Sequence, residues 1–324
     1  PKIGDNPNLS SKEEQLISKM HKAITIIQFK LESEIINSRP EFDMEKRNLL
    51  HKIDFTRGTV ELDGVDYPLK DTYFPTIDPV SPYKLTAEEQ DVVKKLVASF
   101  KGNEKLRKHI NCLYSKGSLY LVRNGNLLYH GSMLMNEDGS FKKVKIQGEE
   151  YAGKALFDKI DTLVRAGFYE KDPVKKKFGE DFIWFLWCGP YSPQFDKDKM
   201  ATFERYFIAD KSTHKETKGV YSKLKNRKDI CEKILEEFGV TGQYTHIING
   251  HIPVKTTQGE TPIKAEGKLL VIDGGFSKAY QEETGIAGYT LIFNSHGLKL
   301  VQHYPFESAE NAAMMGKDII STTS

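Results

Sequence analysis

The 324 residues are enough for one large α/β domain or two ordinary ones. Hydrophobic residues make up 39% and charged residues 28%, which excludes a disordered or fibrous chain. A net charge of +2 with a pI near 8.3 excludes nucleic acid as the expected partner, since that calls for a concentrated basic face. Cys112, Cys188 and Cys231 are widely spaced with no Cys-x-x-Cys pair, so a reducing, cytoplasmic setting is expected rather than a disulfide framework. No apolar run reaches the length of a membrane span. The first residues do not read as a signal peptide, and with no initiator methionine the chain is expected to start inside a longer one.

Ser10-Ser11-Lys12-Glu13 has the form of a capping box, in which a hydroxyl and a carboxylate satisfy the free donors of a helix start. Behind it Leu16, Met20, Ile24, Ile27, Leu31 and Ile35 predict a long helix with one apolar face, ending near Ser38-Arg39-Pro40. Alternation from Thr59 to Leu69 around Asp63-Gly64 predicts a hairpin. A second helix starts at the Thr86 to Glu89 box and runs to Gly102, with Val92, Val93, Leu96, Val97 and Phe100 on its buried side. Leu119 to Tyr129, around Asn124-Gly125, predicts another hairpin. Residues 150 to 167 read as a helix, Asp181 to Trp187 as a short buried strand, and Lys228 to Phe238 as a helix stopped by Gly239. Strands are expected at Tyr244 to Ile248, Lys268 to Ile272 and Tyr289 to Phe293. Strands interleaved with helices give an α/β (α+β) class. Residues 1–115 read as a helical and hairpin scaffold or lid, and 116–324 as the part that carries chemistry.

Two places set a histidine beside a glycine at the end of an apolar strand: Leu127 to Gly131, with His130, and Ile247 to Val254, with His251. A strand end is rigid, glycine permits close approach of a ligand, and neutral imidazole is a common metal ligand. The plainer alternatives stay open: His130 as a satisfied core histidine, and Asn249-Gly250 as a hairpin turn with His251 starting the return strand, against which Pro253 argues. Cys188 lies in Cys188-Gly189-Pro190 after the predicted strand, where a loop beside a pocket is favoured over a nucleophilic thiolate. Arg205, in Phe203 to Phe207, suits phosphate by its planar fork, or pairs internally with a glutamate. Seven lysines and arginines between Lys211 and Lys228 read as solvated surface, with an anion-catching loop as the minority reading. Lys255 and Lys278 are better placed to meet a phosphate, and Asp273 either orients a ligand or closes a turn.

Several of these stretches together resemble one family. Asn249 to Lys255, Lys268 to Tyr280, Gly285 to Ile292, Trp187 to Pro190 and Phe203 to Phe207 resemble the class III fructose-1,6-bisphosphatases, over essentially the whole chain from Pro1 onward. The Gly-His-Ile-Pro element, Gly250 to Pro253, is also similar to the wider calcineurin-like metallophosphoesterases. That resemblance implies a sandwich of two mixed β-sheets flanked by helices, incomplete here at the N-terminus, with a two-metal centre at strand ends. It makes His130 and His251 ligands of one Mn²⁺ or Mg²⁺ ion; Arg205, Lys255 and Lys278 are the candidates for substrate phosphate by their own chemistry and position. It implies hydrolysis of fructose 1,6-bisphosphate to fructose 6-phosphate in gluconeogenesis, with a sugar bisphosphate as partner and neither nucleic acid nor membrane. The missing N-terminal segment, or a second copy of the chain, is a further expected partner. The family's Asp-x-His, Gly-Asp-x-x-Asp-Arg-Gly and Gly-Asn-His-Asp/Glu motifs have no counterpart in this sequence. No catalytic acid or nucleophile is therefore assigned, and the chain alone is expected to be inactive. Another metallophosphoesterase activity and a non-catalytic, anion-binding module are the alternatives.

Overall fold

The computed structural model describes residues 10–273, 277–305, 308–316 and 320–323, and of 278, 279 and 320–323 the backbone only. In chain order come α1 (Ser11–Ser38), β1 (Ile53–Asp54), β2 (Thr59–Leu62), β3 (Val65–Pro68), α2 (Ala87–Gly102) and α3 (Glu104–Lys116). These are followed by β4 (Tyr120–Arg123), β5 (Asn126–Tyr129), β6 (Val144–Ile146), β7 (Glu149–Tyr151), α4 (Gly153–Tyr169) and α5 (Pro173–Cys188). Next are α6 (Thr202–Phe207), α7 (Tyr221–Leu224), α8 (Lys228–Glu237), β8 (His246–Asn249), β9 (Ile263–Lys264) and β10 (Leu269–Val271). The last described elements are α9 (Lys278–Thr284), β11 (Gly288–Asn294), β12 (Gly297–His303), α10 (Ala309–Met315) and β13 (Ile320–Thr323). The α/β class expected from the sequence holds.

The chain divides into two compact units. The first comprises Pro1–Gly117, Lys171–Tyr191 and Lys197–Thr217. Its long helix α1 starts at the expected capping box: the Ser10 hydroxyl accepts from the Glu13 amide, and the Glu13 carboxylate accepts from the Ser10 amide. The hairpin β2–β3 turns at Asp63 (φ 48°) and Gly64 (φ 82°), both left-handed as a type I′ turn requires. Ile26, Phe29, Leu50, Val60, Phe74, Phe203 and Phe207 pack into one core. Two ion pairs are buried beside it, Arg47 with Glu32 (2.8 Å) and Lys30 with Glu89 (2.7 Å). Each charge there is compensated by a partner, as burial demands.

Three sequence expectations fail in this unit. The predicted apolar face of α1 is largely exposed, with Leu16 at 58% and Met20 at 60%, while Ile26, Phe29 and Ile36 form the buried side. Likewise Val92, Leu96, Val97 and Phe100 of α2 are exposed, and Glu89 is the residue that helix buries. Periodicity identifies a helix and its amphipathic stripe, but which stripe is covered depends on what packs there. The third difference is 181–187, expected as a strand and found inside α5. Asp172 caps that helix by accepting from the amides of Val174 and Lys175, Pro173 occupies its first turn, and Phe178, Phe182 and Leu186 recur at four-residue spacing on the buried side.

The second unit comprises Ser118–Glu170, Ser192–Asp196 and Lys218–Ser324. Its five-stranded sheet has the order β4-β5-β8-β10-β9. The hairpin β4–β5 turns at Asn124 (φ 50°) and Gly125 (φ 70°), as expected. β5, β8 and β10 run parallel in the middle, and β4 and β9 flank them antiparallel. Strands buried on both faces read as continuous apolar runs, and Leu127, Ile247, Leu269 and Val271 are fully buried. Phe157 of α4 and Ile234 and Leu235 of α8 complete that core. The sheets β1-β2-β3, β6-β7 and β11-β12-β13 are antiparallel, so among the described residues the five-stranded sheet is the one mixed sheet.

Candidate active site

Parallel pairing aligns the carboxyl ends of three neighbouring strands. Tyr129 of β5 stands opposite Asn249 of β8, and Asn249 opposite Val271 of β10. The residues that leave those ends are His130, Gly250-His251 and Asp273, brought to one edge from three distant parts of the chain. That edge is where open α/β sheets bind ligands. Asn249, 3% exposed, fastens it: its side-chain amide donates to the carbonyls of Tyr129 (3.1 Å), His130 (3.1 Å) and Gly131 (2.8 Å). The Ile272 amide closes the other side on the Asn249 carbonyl at 3.0 Å.

The two histidine rings lie with centroids 5.3 Å apart and planes at 86°. Gly250 packs against the His130 ring and near the Asp273 carboxylate. A Cβ at that position would lie 3.1 Å from His130 Nδ1 and 3.7 Å from Asp273 Oδ2. His251 takes a left-handed φ of 72°, a strained choice for a non-glycine residue that turns the chain sharply out of β8. The hairpin alternative at Asn249-Gly250 is thereby removed, because β8 is a central parallel strand and no return strand follows. Gly131 is required for a different reason: a Cβ there would sit 2.0 Å from the Pro193 carbonyl, which also accepts from the Ser132 amide at 2.7 Å. The Ser192–Asp196 segment is thus held against the end of β5.

Beside the histidines a narrow crevice is lined by Ser132, Asp196, Tyr221, Lys225, Asn249 and His251, among others. Its enclosed part is about 10 Å³, room for a single water, and the rest opens outward. Burial raises the Asp196 carboxyl to about 6, against the nearby Ser132 hydroxyl and the Lys225 and Lys218 ammoniums, which pull it down. Burial first, then Lys264 and Lys218, lower the Lys225 ammonium, while Glu260 and Asp196 raise it. Deeper still, the Tyr129 and Tyr221 hydroxyls bond each other at 2.6 Å, and burial pushes both phenols up.

The other residues named from the sequence lie elsewhere. Arg205 is in the first unit, on α6, where it pairs with Glu216 at 3.3 Å and donates to the His214 carbonyl. Lys255 follows His251 by four residues and forms an ion pair with Glu283. Lys278 opens α9, and its side chain lies outside the described residues. Cys188 ends α5, 1% exposed, with its thiol raised to about 12 chiefly by burial. A thiol so raised stays protonated, which removes the nucleophile reading. Sequence reasoning passed over Asp196 and Lys225. Nothing local marks Asp196, and Lys225 was hidden within a basic run.

Among the described residues no group of three or more His, Cys, Asp or Glu side chains converges closely enough to hold a metal ion. The two imidazoles therefore fit part of a divalent-metal site and not a whole one, since Mn²⁺ and Mg²⁺ prefer oxygen donors.

The family model for Firmicute fructose-1,6-bisphosphatase matches residues 1–324. A class 3 fructose-1,6-bisphosphatase of Bacteroides fragilis is 65% identical over 310 residues, covering 95% of this chain and 47% of that protein. One of Clostridioides difficile is 57% identical over 324 residues, 100% of this chain and 49% of that protein. The chain spans about half the length of the curated relatives it matches. No solved structure matches the chain at a significant level. With the match running through both units and through each of the three strand ends that carry His130, His251 and Asp273, the chain belongs to the Firmicute fructose-1,6-bisphosphatase family.

Proposed function

We propose that this chain is part of a cytoplasmic, metal-dependent phosphatase that hydrolyses fructose 1,6-bisphosphate to fructose 6-phosphate and phosphate, a step of gluconeogenesis. The observation that carries the reading is the convergence of His130 and His251 at the carboxyl edge of the parallel strands, in a chain of this family. In this reading the two imidazoles hold one Mn²⁺ or Mg²⁺ ion, and the remaining donors come from the rest of a polypeptide of the relatives' full length. A pair of such ions, when bound, clamps phosphate and lowers the pKa of an attacking water. What this chain supplies is position: Asn249 fixes the two strand ends, and Gly131 and Gly250 permit the close packing that aims the rings. Lys255 and Lys278 stand as phosphate contacts, Lys255 after release from Glu283, and residues 1–115 as scaffold or lid.

The test is phosphate release from fructose 1,6-bisphosphate with Mn²⁺, measured on the full-length gene product and on this chain alone. Activity is expected in the longer protein, and little or none in the chain. Replacing His130 or His251 by alanine in the active protein is expected to lower kcat/KM by about 100-fold or more. Full activity of either variant overturns the assignment of that histidine. No helix of the described residues is long and apolar enough to cross a membrane.

A further inference from the structure

Of the cations near the histidine pair, Lys255 is already held by Glu283. Lys225 is differently placed. It follows α7 directly and lines the crevice that His251, Asn249 and Gly250 also line. It is half-buried, and among the described residues its ammonium makes no ion pair. The charged groups around it are Lys264 and Lys218, which repel it, and Glu260 and Asp196, which attract it from beyond ion-pair distance. Lys264 is also half-buried and Lys218 exposed. Counting Lys225 itself, the three ammoniums outnumber the two acids, Glu260 and Asp196, a local positive balance that a dianion would relieve. Burial strengthens the effect for Lys225, because its charge is poorly solvated.

Resting on the proposed function, we infer that Lys225, with Lys264 and Lys218 beside it, binds the phosphate of the bisphosphate substrate that is not hydrolysed. The crevice has room for one water, about 10 Å³, so the phosphate sits at its mouth, against Lys225. His130 and His251 serve the phosphate that leaves, and Lys225 holds the other end of the sugar. It is a specificity residue: it distinguishes a bisphosphate from a simple phosphate ester and takes no part in bond cleavage.

The experiment compares Lys225→Gln, Lys225→Arg and Lys264→Gln with the parent in the full-length Mn²⁺-loaded protein, using fructose 1,6-bisphosphate and p-nitrophenyl phosphate. Lys225→Gln is expected to raise KM for the bisphosphate about 10- to 100-fold, the range for loss of a hydrogen bond to a charged group. Its kcat/KM for p-nitrophenyl phosphate should stay within about twofold, since no second phosphate is lost. Lys225→Arg should recover most of the loss, and Lys264→Gln should show a smaller rise in KM. Equal losses on both substrates, or an unchanged KM for the bisphosphate, would overturn the inference. If the parent hydrolyses p-nitrophenyl phosphate and not the bisphosphate, it is the functional reading that falls. The anion site is then read by calorimetry with inorganic pyrophosphate, where binding weakened at least tenfold in Lys225→Gln upholds it and equal binding removes it.

Discussion

Asn249 holds the site together through a single amide group. Its NH₂ faces three main-chain carbonyls at and just beyond the end of β5, and water cannot replace it at 3% exposure. Asn249→Ala is expected to cost about 2–4 kcal/mol in urea unfolding, combining unsatisfied carbonyls with a small cavity. Asn249→Asp should cost at least as much despite its matching shape, because an ionised carboxylate only accepts. Asp196 gives a pH signature at the same scale. Its carboxyl titrates near 6 in the folded protein, raised by burial, and near 4 when unfolded. Between these values the folded state holds the extra proton, so its contribution is intact below about pH 4 and is lost as pH rises through about 6. Asp196→Asn should therefore gain on the parent as pH rises, by about 2 kcal/mol between pH 4 and 7.5 in denaturant unfolding. A constant difference between the two proteins across that range would show that Asp196 is not raised.

At the scale of elements, the signals that act over three or four residues were legible. The capping boxes at Ser10 and Thr86 and the turns at Asp63-Gly64 and Asn124-Gly125 lie where the sequence puts them, because each is satisfied by its own neighbours. The covered faces of α1 and α2 were not legible, since coverage is decided by distant partners. Residues 181–187 were misread because a seven-residue apolar run has no period of its own. The decisive signal, Asp172-Pro173, lay eight residues upstream of the run. It can be tested as a cap: Asp172→Ala should lower stability by about 1 kcal/mol in thermal or urea unfolding, and Asp172→Ser should keep most of it. No change in either would mean that packing of Phe178, Phe182 and Leu186 alone holds the helix.

At the scale of the whole molecule, the site depends on pairing between segments more than a hundred residues apart. His130 and His251 each looked like one strand-end histidine among other possibilities. Parallel pairing of β5 and β8 is what brings them together, and no local pattern encodes a parallel register. Resemblance to a family, carried by Gly250 to Pro253 and its neighbours, joins them without the pairing. Lys225 escaped because a lysine in a basic run is told from its neighbours only by the crevice it enters. The same long-range logic bears on metal binding. Two imidazoles, with no third His, Cys, Asp or Glu converging closely enough among the described residues, should favour Zn²⁺ over Mn²⁺ by the ordinary order of divalent affinities. Calorimetry on this 324-residue chain is expected to show Mn²⁺ binding weaker than about 1 mM, and Zn²⁺ binding more tightly and weakened in His251→Ala. Micromolar Mn²⁺ binding would instead mean that oxygen donors of this chain complete the site, and phosphate release by the chain alone would then be expected.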